Sequence, residues 1–168
     1  MIRTLGRARL VLDALSSAAA LAGGLGLAAA SLFTVAAVAA AALGAPVLGD
    51  SEVIELVIGA CIFAFLPYCQ MRDGHIAITL FTDRAPCAVR RGLDVVAGLL
   101  AFAVAAVLAW RLAAGGLDAF GRGRTSMFLE LPLWWGYAVG TVFAALWVVT
   151  AALVAAERLV EARGSWAA

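Results

Sequence analysis

Lysine is absent from this sequence, histidine occurs once, and only three cysteines and four prolines are found in 168 residues. All twelve basic residues are Arg, and because they lie outside the long apolar runs they build no nucleic-acid-binding patch. The three cysteines, Cys61, Cys69 and Cys87, form no C-x-x-C pair, which argues against a zinc site or a redox dithiol. We therefore expect no cofactor and no metal, and we interpret the cysteines as small buried side chains.

Charge is also scarce, since Asp, Glu and Arg together make up 14% of the chain, against about 25% in a soluble domain. Hydrophobic residues make up 65%, and the mean hydropathy is +1.02. This excess of apolar side chains indicates that the lipid bilayer is the solvent of the protein. Backbone amides in lipid must be satisfied within their own segment, so the sequence predicts an all-α membrane protein.

Four apolar segments are long enough to cross the hydrocarbon core of about 30 Å. We place them at residues 15–43, 52–71, 93–113 and 131–156 of a single membrane domain, 1–168, which predicts a four-transmembrane-helix bundle. The first segment follows a basic start that resembles a signal peptide. Its charge-free stretch, Ala14 to Gly49, is however far longer than the roughly 7–15 apolar residues of a signal sequence, so we expect a retained helix.

The distribution of Arg predicts the orientation of these spans. Nine Arg residues flank the side on which both termini lie: Arg3, Arg7, Arg9, Arg72, Arg84, Arg90, Arg91, Arg158 and Arg163. Three lie on the other side: Arg111, Arg122 and Arg124. By the positive-inside rule, we expect a multi-pass protein of the bacterial inner membrane with both termini in the cytoplasm. Trp110, Trp134, Trp135 and Tyr137 near the opposite boundary fit an interfacial aromatic belt.

The connection between the second and third spans has an amphipathic pattern. His75, Thr79, Thr82 and Asp83 share one helical face, and Ile76, Ala77, Leu80 and Phe81 fill most of the other. Residues 75–84 are too few to span, so we predict a short helix along the interface, ended by Pro86. His75 is either a proton relay or anion ligand, or the polar end of this helix; the lack of a second ligand favours the structural role.

The interior of the spans lacks ionisable residues. Glu52, Glu55, Asp94 and Glu130 all lie at helix beginnings, where the helix dipole accounts for them. Transport sites commonly show an ionisable group deep in a span, and none is found here. We therefore expect no catalytic and no substrate-binding residues in this chain. Small residues, notably Gly136 and Gly140, instead offer close helix packing, within the chain or against a larger membrane partner.

The layout and several short motifs resemble the small membrane subunit of tripartite ATP-independent periplasmic (TRAP) transporters, the DctQ type. The resemblance lies in the four spans, the inside N-terminus and Arg72-Asp73-Gly74-His75-Ile76 leading out of the second span. An apolar segment follows in the family and ends near D-R-x-P, where this chain has Asp83-Arg84-Ala85-Pro86. The stretch Thr125 to Tyr137, with Pro132, Trp134 and Tyr137, is similar to the family's entry into the last span, and Ser51-Glu52 to its acidic start of the second. One departure is Gly74 directly before His75, where the family often has Glu.

The resemblance implies a non-enzymatic scaffold subunit. Its partners would be a large membrane subunit, which holds the substrate and sodium sites and works by an elevator motion, and a periplasmic solute-binding protein, which delivers a small organic solute such as a carboxylate. The motif residues become candidates for the subunit interface: Glu52, Arg72, Gly74, His75, Asp83, Arg84, Pro86, Pro132, Trp134 and Tyr137. Arg122 and Arg124 become candidates for docking the binding protein.

Two other functions remain open. A self-sufficient four-helix transporter acting as a homodimer would need a membrane-embedded carboxylate, and Glu55 is the candidate for it. A membrane-bound redox enzyme would need paired His or Cys ligands, which one His and no C-x-x-C do not supply.

Overall fold

The computed structural model describes residues 2–46, 48–72 and 87–166, with side chains described except at 2–5, 7, 87–91 and 161–166. Four α-helices account for nearly all of this part of the chain: α1 (Ile2–Ala42), α2 (Asp50–Met71), α3 (Cys87–Gly121) and α4 (Trp134–Trp166). Each is long and apolar enough to cross a membrane. The all-α class with four long apolar helices is thereby confirmed, whereas the interfacial helix expected at 75–84 lies outside the described residues.

The helices differ in how far they exceed the membrane. The 22 residues of α2 rise about 33 Å, which barely exceeds the hydrocarbon core of about 30 Å. The 41 residues of α1 and the 35 of α3 are much longer. We expected the third span to stop at 113, near the charged residues that follow, but α3 continues to Gly121. Charged side chains do not by themselves end a helix, because they leave its backbone hydrogen bonds intact.

Glycines with positive φ end α1 and α3. After α1, Gly44 (φ 84°) donates its N–H to the carbonyl of Ala41, and Ala45 donates to Ala40. After α3, Gly123 (φ 58°) donates to Phe120, and Arg124 donates to Ala119. Both pairs form the Schellman arrangement, which satisfies the last helical carbonyls and turns the chain out of the helix.

The four helices pack as an open row. α1 packs on α2, α2 on α4, and α4 on α3, while α1 touches α4 only slightly. Within the described residues, α1 and α3 lie at the two edges of this row and have no extensive contact with each other. The bundle expected from the sequence is therefore open, with two broad apolar faces.

Small residues hold the row together. A methyl group added to Gly26 of α1 would lie 2.8 Å from Sγ of Cys61, and one added to Gly23 would lie 3.1 Å from Cβ of Ala64. In α4, an added methyl at Gly140 would lie 3.1 Å from Leu112 of α3. The G-x-x-x-G step of α4 thus serves packing within this chain.

The row has two distinct ends. At the terminus end, where α1 begins and α4 closes, Arg9 pairs with Glu157 at 3.0 Å and Arg72 lies 3.7 Å from Asp13. At the hairpin end lie the α1–α2 connection (43–49) and the α3–α4 connection (122–133). Polar contacts at both ends fix the helices relative to one another.

Candidate functional site

The α3–α4 connection forms a small hairpin, residues 124–133. Thr125 and Pro132 form an antiparallel bridge, and Leu133 N–H donates to the carbonyl of Arg124 at 3.1 Å. Ser126 N–H donates to the carbonyl of Leu131, whose own N–H donates to Oγ of Ser126. Glu130 has a φ of 52°, which an L-residue adopts rarely and which closes the turn. The hairpin is therefore a defined structure.

The carboxylate of Glu52 holds the tip of this hairpin. Its Oε1 accepts the backbone N–H of Met127 at 2.7 Å and of Phe128 at 2.9 Å, and its Oε2 accepts that of Leu129 at 3.1 Å. Three successive N–H groups converging on one carboxylate form an anion-binding nest. Hydrogen bonds to an ionised acceptor are stronger than neutral ones, so Glu52 joins the first turn of α2 to the hairpin.

The α1–α2 connection is close to the same tip. Gly49 precedes α2 with a φ of 82°, and a methyl group there would lie 2.6 Å from Cγ of Leu129. The position therefore needs glycine both for its backbone conformation and for space. The two connections of the hairpin end are thus packed against each other.

A cavity of about 490 Å³ lies below the hairpin, between α2, α3 and α4. Most of its lining is apolar or small, with Glu52, Glu55, Ser126 and Thr125 at its polar side. Glu55 is exposed and, within the part of the chain that the structure describes, makes no hydrogen bond or ion pair. It lies one turn from Glu52, close to the end of the span and far from its middle.

Arg122 and Arg124, the candidates for docking a binding protein, are both exposed at the hairpin end. Nε of Arg122 lies 2.7 Å from Oδ1 of Asp118, and Nη1 of Arg124 lies 4.0 Å from Oδ2 of the same residue. Asp118 thus offsets part of the positive charge that the sequence indicates here. Its spacing of four residues from Arg122 on a helix was a usable signal in the sequence.

The aromatic candidates lie at the start of α4. The ring of Trp134 meets those of Phe120 and Trp135 edge to face, at 5.6 and 6.1 Å between centroids. The Tyr137 side chain packs on Gly115 and Gly116 of α3, since a methyl group added to either glycine would lie 3.1 or 2.9 Å from it. Pro132 belongs to the hairpin bridge. The structure thus brings Glu52, Pro132, Trp134 and Tyr137 to the same end of the row.

Arg72 lies at the opposite, terminus end. Besides its contact with Asp13, its guanidinium lies 5.3 Å from the centroid of the Tyr68 ring. The other candidates of the α2–α3 connection lie outside the described residues: Gly74, His75, Asp83, Arg84 and Pro86.

Sequence reasoning missed the partners of Glu52. No turn signal such as Asn-Gly marks the hairpin that carries these partners. The expectation that all cysteines are buried is wrong for Cys69, which is exposed, while Cys61 is buried against α1. Among the described side chains, no cluster of three or more His, Cys, Asp or Glu could hold a metal ion.

Comparison with known proteins gives one match. The family model for "Tripartite ATP-independent periplasmic transporters, DctQ component" matches residues 30–162, more than half of the chain. No curated protein and no solved structure matches. The family match and the four apolar helices together identify a multi-pass protein of the bacterial inner membrane. The chain therefore belongs to the DctQ family, the small membrane components of TRAP transporters.

Proposed function

We propose that this chain is the scaffold subunit that supports the large membrane subunit of a TRAP transporter. In this proposal the transporter takes up a small organic solute, typically a carboxylate, driven by sodium. A periplasmic solute-binding protein delivers the solute. The family match over residues 30–162 carries the proposal.

The distribution of polar groups supports a static role without catalysis. Glu52 is committed to three backbone N–H groups, and the ion pairs of Arg9 and Arg72 lie at the terminus end. The buried cluster of Ala105, Trp147 and Ala151 between α3 and α4 contains no ionisable side chain. A transported ion or carboxylate would find its ligands in the partner chain.

The open row suits a supporting part. Glycines of α1 and α4 pack against other helices of this chain, so the contacts that hold the row together are made without a partner. Its two broad faces remain apolar, with large exposed side chains such as Leu21, Leu25 and Leu100. We propose that the large subunit covers part of one face and that lipid covers the rest.

Reconstitution with the neighbouring components tests this role. The adjacent reading frames would be searched for a large membrane subunit and a binding protein, both would be purified, and the solute would be found by thermal-shift screening of the binding protein. Uptake of that radiolabelled solute into proteoliposomes under a sodium gradient should require this chain. A stable large subunit that transports fully without it would overturn the proposal.

The homodimer alternative is distinguished by the same preparation. Counterflow by this chain alone in liposomes, lost on Glu55→Gln, would favour it. The family match does not favour this alternative, and the position of Glu55 close to the end of a span gives it no advantage.

We also propose that both termini lie in the cytoplasm, as the positive-inside rule predicts. Fusion of alkaline phosphatase or green fluorescent protein to the C-terminus tests this orientation. A cytoplasmic C-terminus gives a fluorescent green fluorescent protein fusion and an inactive alkaline phosphatase fusion. A non-fluorescent protein fusion with an active phosphatase fusion would contradict the proposed orientation.

A further inference from the structure

The tip of the hairpin exposes two consecutive apolar side chains, Met127 and Phe128, and part of Leu129, whose side chain also packs on Gly49. Met127 is 86% exposed, Phe128 59% and Leu129 42%. The backbone N–H groups of the same three residues donate to the carboxylate of Glu52. The Glu52 carboxylate thus fixes the backbone of a tip whose apolar side chains are exposed. An exposed apolar surface held in this way is expected to be covered by lipid or by another molecule.

The depth of the tip follows from α2. This helix rises about 33 Å, so a membrane of about 30 Å leaves only about 3 Å beyond its two ends. Glu52 is the third residue of α2, and the nitrogens of residues 127–129 lie 2.7–3.1 Å from its oxygens. The tip is therefore at the boundary between hydrocarbon and headgroups.

The neighbours of the tip indicate the same level. Trp134, Trp135 and Phe120 form a chain of edge-to-face rings at the adjacent helix ends, and all three are partly exposed. Indole rings favour the lipid interface, where their apolar body and polar N–H are both accommodated. Arg122, just before the hairpin, and Arg124, its first residue, bring guanidinium groups suited to lipid phosphate.

From these observations we infer that Met127 and Phe128, with the exposed part of Leu129, insert into the interfacial layer of the adjacent leaflet, as a lipid anchor held in place by Glu52. The occupant is lipid, at the boundary of headgroups and acyl chains. The anchor fixes the depth of α2 and of the start of α4 in the bilayer. This inference does not depend on the proposed transport role.

Spin-label accessibility in lipid nanodiscs tests the anchor. Met127→Cys and Phe128→Cys would be made in a chain whose three native cysteines are changed to Ala, with Glu130→Cys as a matched control on the same turn. Accessibility would be measured to oxygen, which partitions into lipid, and to a nickel chelate, which stays in water. The ratio of oxygen to nickel accessibility should be several-fold higher at 127 and 128 than at 130.

Equal ratios at the three positions, with high nickel accessibility, would overturn the inference. So would low nickel accessibility that arises only after the solute-binding protein or the large subunit is added, because the occupant would then be protein. Folding of each variant would be checked by size-exclusion chromatography and circular dichroism.

A second measurement uses the unmodified chain, in case labelling disturbs the hairpin. Hydroxyl-radical footprinting in nanodiscs compares oxidation of Met127 with that of Met71, which is buried. Lipid coverage should make Met127 react at a rate close to that of Met71. A rate several-fold higher would place the tip in water and overturn the anchor.

Discussion

Nη1 of Arg9 donates to Oε2 of Glu157 at 3.0 Å, joining the first helix to the last across 148 residues of sequence. α1 and α4 otherwise touch only slightly, because α2 lies between them for most of their length. The pair therefore connects two helices that apolar packing leaves largely separate. Arg9 is about half exposed and Glu157 mostly covered, so water screens the attraction in part.

We expect the Arg9–Glu157 pair to stabilise the terminus end modestly. A double-mutant cycle with Arg9→Gln and Glu157→Gln should give a coupling of about 0.2–1 kcal/mol, the usual range for partly exposed pairs. The measurement is reversible unfolding by SDS in mixed micelles. The coupling should shrink at high salt, and a salt-independent value would contradict an electrostatic origin.

Glu52→Gln should loosen the hairpin without unfolding the helices. The amide keeps one acceptor oxygen but places an NH2 group towards backbone donors that a carboxylate accepts. We expect hydrogen exchange at the amides of 127–129 to become about tenfold faster or more, since bonds to a charged acceptor are lost. Exchange in the middle of α2 should stay unchanged.

Glu55→Gln is the matched control for this variant. It removes a carboxylate one turn further along the same helix. The Glu55 carboxylate makes no hydrogen bond or ion pair to any described residue. Equal acceleration in both variants would mean that net charge, and not the nest at Glu52, determines the exchange rate.

Features of the structure that depend on the average over many residues could be predicted from the sequence, whereas those that depend on single side-chain contacts could not. The four spans could be predicted because hydropathy averages over some twenty residues and single side chains matter little. The end of α3 could not, since Asp118 and Arg122 compensate each other's charge on the helix surface and the helix continues past Asp118 to Gly121. The role of Glu52 could not be predicted either, because the N–H groups that donate to its carboxylate lie 75 to 77 positions further along the chain. The selection of Glu52 as a motif residue gave the position but not the partner.

Gly26→Ala should destabilise the contact between α1 and α2. The added methyl would lie 2.8 Å from Sγ of Cys61, which is closer than van der Waals contact allows. Overpacking of this kind costs about 1–3 kcal/mol. Gly24→Ala, two residues away on the same helix, has nothing within 4 Å of the added methyl and should be neutral or slightly stabilising. Thermal unfolding in detergent compares the two variants, and equal effects would show that helix propensity dominates.

Asp118→Asn should strengthen any electrostatic docking at Arg122 and Arg124. The carboxylate lies 2.7 Å from one guanidinium and 4.0 Å from the other, so its removal exposes the full charge of both. If an acidic surface of the binding protein docks here, association at low salt should become faster in Asp118→Asn and slower after reversal of both Arg residues to Glu.

Surface plasmon resonance of the reconstituted transporter, over a range of salt concentrations, measures these association rates. Arg111→Glu serves as a control that changes net charge by the same amount as one reversal, at an exposed position about two turns before Asp118 on α3. Rates and uptake unaffected by the double reversal would exclude docking at these residues. If Arg111→Glu slows association as much as reversal of Arg122 or Arg124 alone, the overall charge of the chain steers the binding protein from a distance. A local contact would instead make the reversal at Arg122 or Arg124 the stronger one.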